Sequence, residues 1–513
     1  MIMQAFIKHE ILNLLKSKRV YWTIILFMLL FASVFTVRTI DFKKQLNQYI
    51  QDVEQTEESL RKAANYSYLN PRAIKQPLIF SIYNNGYTYP RVINIQYIQY
   101  ILNTSSLNQE KNNIYTENNM LDISFLVSFF LSLFILLIAY DSVNGEKEIG
   151  TLRILMTWPI KRQSFILKKI LGIFFFVFIA FSLPYLLSLF VIIVLFGNLL
   201  TSTFFLSFFF YWFVIALFIF FFSLLGIYLS VLSAKPSRSL VYSLLVWIFL
   251  SIICPVTWEY IISPKLFNNT FTNLKNTAAV KLDDAKKVYY QKLPDEANIN
   301  KVSHFLWNNY DLNVFVWGEQ STYDTHYRFH HYLYDKYYPA VREAEQARDN
   351  YIRKHIYIEN VKSLYQFFNP LVVLDNISMK IAGNSRADYL LFLQDGRKVR
   401  DDFVNLGVIE GWYFAYDYFA KYKKEYTPMN FEDYQNENPD HTWFEYWMEY
   451  AQPLQNSAEL YEMKLPNIQK YQQRELTFTE LFNRIYLFLF LMVILIVAIW
   501  LLTWKQFLKY DIR

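Results

Sequence analysis

Long uncharged stretches alternate with polar ones along this 513-residue chain, and six of them predict membrane-crossing helices. They run from Val20 to Val37, Ile123 to Tyr140, Ile170 to Phe196, Phe204 to Leu232, Leu240 to Val256 and Ile485 to Leu502. Each approaches or exceeds the ~18 to 20 apolar residues that carry a helix across a bilayer. Ahead of the first, residues 2–18 place Phe6, Ile7, Ile11 and Leu14 near one helical face, with Gln4, Lys8, Asn13 and Lys16 largely opposite. That pattern predicts an amphipathic helix over 1–19, lying in the membrane interface as an elbow.

The polar stretches divide into short and long. Phe42, Leu46, Tyr49, Ile50, Val53, Leu60 and Ala64 recur at helical spacing, so the first span is expected to continue as a helical stalk into the segment 38–122. Pro, Gly and Asn then break helical continuity in "LNPRAIKQP" and "YNNGYTYP". The segment 257–484 also reads as mainly helical, and "FNPLVVLDNISMKIAG" predicts a hydrophobic helix ended by Gly383. Pro184 is expected to kink the third span. The fold class expected is mainly α.

Composition narrows the class further. Hydrophobic residues make up 54% of the chain and charged residues only 18%, too few for an ordinary soluble protein. The net charge of +6 is placed beside the spans. Lys8, Lys16, Lys18 and Arg19 precede the first, and Lys147, Arg153, Lys161, Arg162, Lys168 and Lys169 lie between the second and third. Lys235 and Arg238 separate the fourth and fifth, and Lys505, Lys509 and Arg513 follow the last. The link "GNLLTST" has none. Positive short loops mark the cytoplasmic side, so both termini and the loop 141–169 are expected inside and 38–122 and 257–484 outside. Basic character here is topology and not nucleic-acid binding. Cys254 is the one cysteine, so no intramolecular disulfide can staple the outer segments.

The chemistry of the inner loop turns on "NGEKEIGTLRILMTWPIKRQSFILKK". Gly145 and Gly150, with four residues between them and Thr151 following, imitate a phosphate-binding loop. Such a loop needs Lys after its second Gly, and a strand before its first. Here Thr151 and a membrane span stand in those places, so no ATP site is expected in this chain. The spans hold no Asp, Glu, Lys, Arg or His, which argues against ion-coupled transport, because that chemistry buries ionisable groups in the membrane. "KHEILN" lacks the second His of a zinc-protease motif. His326 and His330 share a helical face at a spacing that suits a metal, a weak signal in an aromatic-rich stretch.

Glu146, Glu148, Gly150, Thr151, Leu152, Pro159 and Arg162, with Lys168 or Lys169 at the following membrane interface, resemble the pattern after the second span of ABC-2-type transporter permeases. The elbow and the six-span layout resemble that family as well. Its branch with a large outer domain between spans five and six, which includes permeases linked to multicopper-enzyme maturation of the nitrous-oxide-reductase copper transporter type, is the most similar. The resemblance implies that residues 146–162 form a coupling helix docking on a separate ABC ATPase subunit, two copies per assembly. ATP and magnesium would be held there and no cofactor here. It also implies a second permease protomer, identical or related, and a bacterial inner-membrane location, with an envelope protein as a further partner. Two other readings stand beside ATP-driven export: a mechanical or signalling coupler that moves the outer domain without transport, and a membrane-anchored outer metal chaperone.

Overall fold

The first apolar stretch continues well past the point where its hydrophobicity ends. In the computed structural model, helix α1 (Lys18–Lys62) runs unbroken for 45 residues, ~67 Å at the α-helical rise. The structure describes residues 10–62, 71–86, 91–95, 102–103, 121–152, 162–257, 280, 338–365, 368–409, 420–422, 431–442, 445, 461–463, 470–474 and 477–508. Phe6, Ile7, Pro159, His326 and His330 lie outside the described residues.

Among the described residues, six helices are long and apolar enough to cross a membrane. After α1 comes α2 (Ile123–Phe125), which passes through a π-helical turn (Leu126–Leu131) into Ser132–Ala139. A short helix, α3 (Asn144–Ile149), follows, and then α4 (Arg162–Phe196), α5 (Ser202–Leu232) and α6 (Pro236–Ile248). α6 also continues through a π turn, Phe249–Ile253, into Cys254–Thr257. The π turn of α2 is tied to α6. Each widened turn frees carbonyls from the regular ladder, and Trp247 Nε1 donates to Phe129 O at 3.2 Å. α4 stays helical through Pro184.

Local chemistry sets the helix ends. Asp122 caps α2 by accepting from Phe125 N, and Thr201 caps α5 by accepting from Phe204 N. Lys235 is extended because Pro236 follows it, and that proline then starts α6 where no amide hydrogen is needed.

α5 is the most enclosed span, with α2, α4, α6 and the last span around it. Glycine allows that enclosure. A Cβ on Gly226 would sit 2.4 Å from Ala139 Cβ, so the α5 and α2 backbones approach more closely than two alanines permit.

Beyond the apolar half of α1 a second layer begins. Arg38 is buried there and donates to Asn85 Oδ1 (2.7 Å), Ser81 O (3.2 Å) and Asp41 Oδ2 (3.0 Å). A three-stranded antiparallel sheet begins inside "LNPRAIKQP" with β1 (Arg72–Ile74) and continues beyond "YNNGYTYP" with β2 (Val92–Ile95) and β3 (Leu102–Asn103). Its apolar face meets α7 (Tyr338–Tyr365) and α9 (Arg386–Ile409) in a separate core of Ala73, Ile93, Ile95, Ile352, Leu393 and Phe403. Between this core and the bundle lies α8 (Pro370–Ala382), capped by Asn369 and ended by Gly383 at φ +65°. It packs on the last span, α11 (Phe478–Leu508), which follows the short elements β4 (Ala420–Tyr422), α10 (Phe431–Glu437) and β5 (Tyr461–Met463).

His355 makes the second core sensitive to acid. The ring is buried, accepts from Arg386 Nη1 at 2.9 Å and has Lys354 nearby; burial first, then these cations, push its pKa down to about 3. An unfolded chain takes the proton near the ordinary value of 6.5, whereas the folded one does not. Stability is therefore full above that value and falls as pH drops through it, by about 1.4 kcal/mol per pH unit until the folded-state value is reached. Thermal unfolding of the full-length protein in detergent should show His355→Gln losing less stability than wild type between neutral pH and pH 4.5. Parallel pH profiles would refute the assignment.

Candidate functional site

The basic loops converge at one end of the bundle around a single lysine. Lys169, in the second turn of α4, is buried and forms ion pairs with both Glu10 and Glu146. Glu10 begins the described part of the N-terminal helix, residues 10–16, and Glu146 lies in α3. One cation thus ties three chain segments together, and its two carboxylates keep a buried charge tolerable.

Close contacts reinforce this junction. A Cβ on Gly172 would lie 3.0 Å from Glu10 Cβ, so the N-terminal helix rests directly on α4. Ile11 and Leu14 pack against the main core. Ser230 of α5 accepts from the amides of Val143 (3.1 Å) and Asn144 (3.3 Å), fixing the turn into α3. Arg19 pairs with Asp141 at 2.5 Å. Arg162 Nη1 donates to Leu508 O at 3.2 Å and Phe165 stacks on Phe507, so α4 also holds the end of α11.

The residues singled out from sequence separate into inward and outward sets. Glu146 and Leu152 point into the protein. Lys168 and Lys169, expected at a membrane interface, are buried within the protein, because for Lys169 paired carboxylates substitute for water. Gly150 ends α3 at φ +86°, with open space where a Cβ would be. Glu148, Thr151 and Arg162 are exposed, and so is Ile149, with 79% of its surface accessible. Sequence reasoning passed over Ile149, Glu10 and the internal role of Lys169. The available signal was weak: one carboxylate on the elbow and one lysine near the start of a span.

An exposed apolar side chain flanked by polar ones, on a helix held rigidly to the ends of two spans, can pass a push into both. Residues 4–417 match the family described as ABC-2 family transporter protein. The chain belongs to that family. It is a multi-pass membrane protein by family and by its six apolar helices. A stretch of 47 residues is 47% identical to the "Probable ABC transporter permease protein NosY" of Pseudomonas aeruginosa. That match covers 9% of this chain and only 17% of the length of that relative.

Proposed function

We propose that this chain is the membrane-spanning permease subunit of an ATP-driven transporter, whose ATP is hydrolysed by a separate subunit docking on the exposed edge of α3. The observation that carries this reading is the pairing of an outward Ile149 with an inward Glu146–Lys169–Glu10 junction. A partner pressing on Ile149, Glu148 and Thr151 would move α3, the N-terminal helix and α4 as one body. The complete assembly would hold two ATPase copies, with magnesium and ATP between them, and a second permease protomer. The basic end would face the cytoplasm of a bacterium, and the sheet and α7–α9 would lie outside the inner membrane. A motion of rigid helices of this kind is how closure at one site reaches another.

Co-purification from native membranes tests the docking edge. Ile149→Asp and Glu148→Arg should each lower recovery of the ATPase subunit about tenfold or more, while elution and thermal unfolding stay as in wild type. Unchanged recovery in both would overturn the docking edge. Glu146 is the wrong probe, because its loss would disturb the ion pairs inside the protein.

One observation favours a mechanical reading as well. α1 runs without a break from the basic end to the second core, where Leu60 packs and Glu57 meets Lys470 at 2.7 Å. Such a rod would move the outer layer when the basic end moves. ATP-dependent outer motion without flux into vesicles would favour a coupler, and flux would favour export.

A further inference from the structure

A cavity of about 240 Å³ lies where the bundle meets the second layer, at the end opposite the basic loops. Its floor is the α4–α5 turn, where Thr201 shares a hydrogen bond with Thr203 at 2.6 Å. The chain after β1, from Lys75 to Phe80, makes one wall. α9 contributes Asp388, Leu391 and Asp395, and Gln473 and Leu481 close the far side.

The polar groups of this cavity are incompletely matched. Lys75 Nζ donates to Gly383 O at 3.1 Å, its one hydrogen-bond partner among the described residues, and no described carboxylate stands within ion-pairing distance. Burial lowers its pKa, and the field of Asp388 opposes that only in part. Asp388 is already committed: Arg484 reaches it at 2.5 Å, and the Ser385 amide and hydroxyl at 3.1 and 2.6 Å. Gln473 Oε1 is a buried acceptor with no donor among the described residues. Asp395 meets Lys398 at 2.8 Å and keeps about a quarter of its side chain accessible (26%). Phe80, Leu199 and Phe204 supply apolar wall between these groups.

The cavity therefore offers a cation without an anion, an acceptor without a donor, and apolar surface beside both. Its floor joins two membrane-crossing helices, so it sits at the depth where lipid head groups lie. We propose that this cavity binds the head group of a zwitterionic phospholipid, its phosphate against Lys75 and its ammonium toward Gln473 and Asp395. The site stands apart from the docking edge of α3, and its test does not depend on an ATPase.

Native mass spectrometry of the full-length protein in mild detergent tests it with three probes. These are phosphatidylethanolamine, phosphatidylglycerol, which has the phosphate but no ammonium, and soluble glycerophosphoethanolamine, which has the head group but no tails. Wild type should retain one phosphatidylethanolamine per chain, and Lys75→Met should reduce that retention about tenfold or more. Leu391→Trp, which fills the cavity and leaves every charge in place, should do the same. It decides the matter if Lys75→Met does not fold. Wild-type retention in Leu391→Trp would overturn the site. Equal retention of phosphatidylglycerol would overturn the ammonium contact, and displacement by the soluble head group at equal concentration would overturn the lipid as its source.

Discussion

Replacing Lys169 by methionine is expected to lower the stability of this protein by about 3 to 5 kcal/mol, the usual cost of breaking a buried ion pair. The side chain is only 3% exposed and faces two carboxylates, so the change leaves the buried Glu10 and the partly buried Glu146 with their shared cation gone. They repel one another across the N-terminal helix and α3. The measurement is thermal unfolding in detergent, with limited proteolysis ahead of α1 as a second readout. The triple change Glu10→Gln, Lys169→Met and Glu146→Gln should recover most of the loss, since an uncharged cluster of similar volume carries no buried-charge penalty. If the single and triple variants unfold alike, the lysine acts through packing and the junction is not held by charge.

Gly226→Ala should do comparable damage by a different route. The added methyl meets Ala139 Cβ at 2.4 Å, and Leu136 and the Ala139 backbone leave it no other direction. Carbon atoms need ~3.5 to 4 Å, so α5 and α2 must separate by more than about an ångström. Overpacking of this kind costs about 3 kcal/mol. The effect reaches beyond the contact, because Ser230 lies one turn further on and holds the amides of Val143 and Asn144. Adding Ala139→Gly removes the opposing methyl and should restore the unfolding temperature. Gly197→Ala, with nothing within 4 Å, is the neutral comparison. Failure of Ala139→Gly to rescue would mean that the helices do not meet as described.

Much of this architecture is legible in residue order, where the physics is local. The bilayer's demand for backbone hydrogen bonds within each segment makes every long uncharged run a helix, and the runs are continuous. α8 could be read because Asn369, Pro370 and Gly383 carry its caps within its own sequence. The sheet could not. β1 and β3 have only three and two residues, too short to show a period, and they are strands because Arg72–Ile74 and Leu102–Asn103 both pair with Val92–Ile95. The π turns of α2 and α6 likewise have no pattern of their own, and the one in α2 is met by Trp247 of α6.

The functional loop divides the same way. The spacing of Glu146, Gly150, Thr151 and Leu152 marks the segment between the second and third spans, and Gly150 marks its bend, because these depend on neighbours along the chain. Which of its residues face inward depends on Lys169, 23 positions beyond Glu146, and on Glu10, far before it. The sequence by itself determined six spans and a charged, glycine-bent loop at their basic end, through hydrophobicity and local backbone preference. The tertiary structure alone decided that Glu146 is internal and Ile149 external, and that Lys75 stands in a cavity with its charge unmatched, because burial and pairing are set by which distant segments meet.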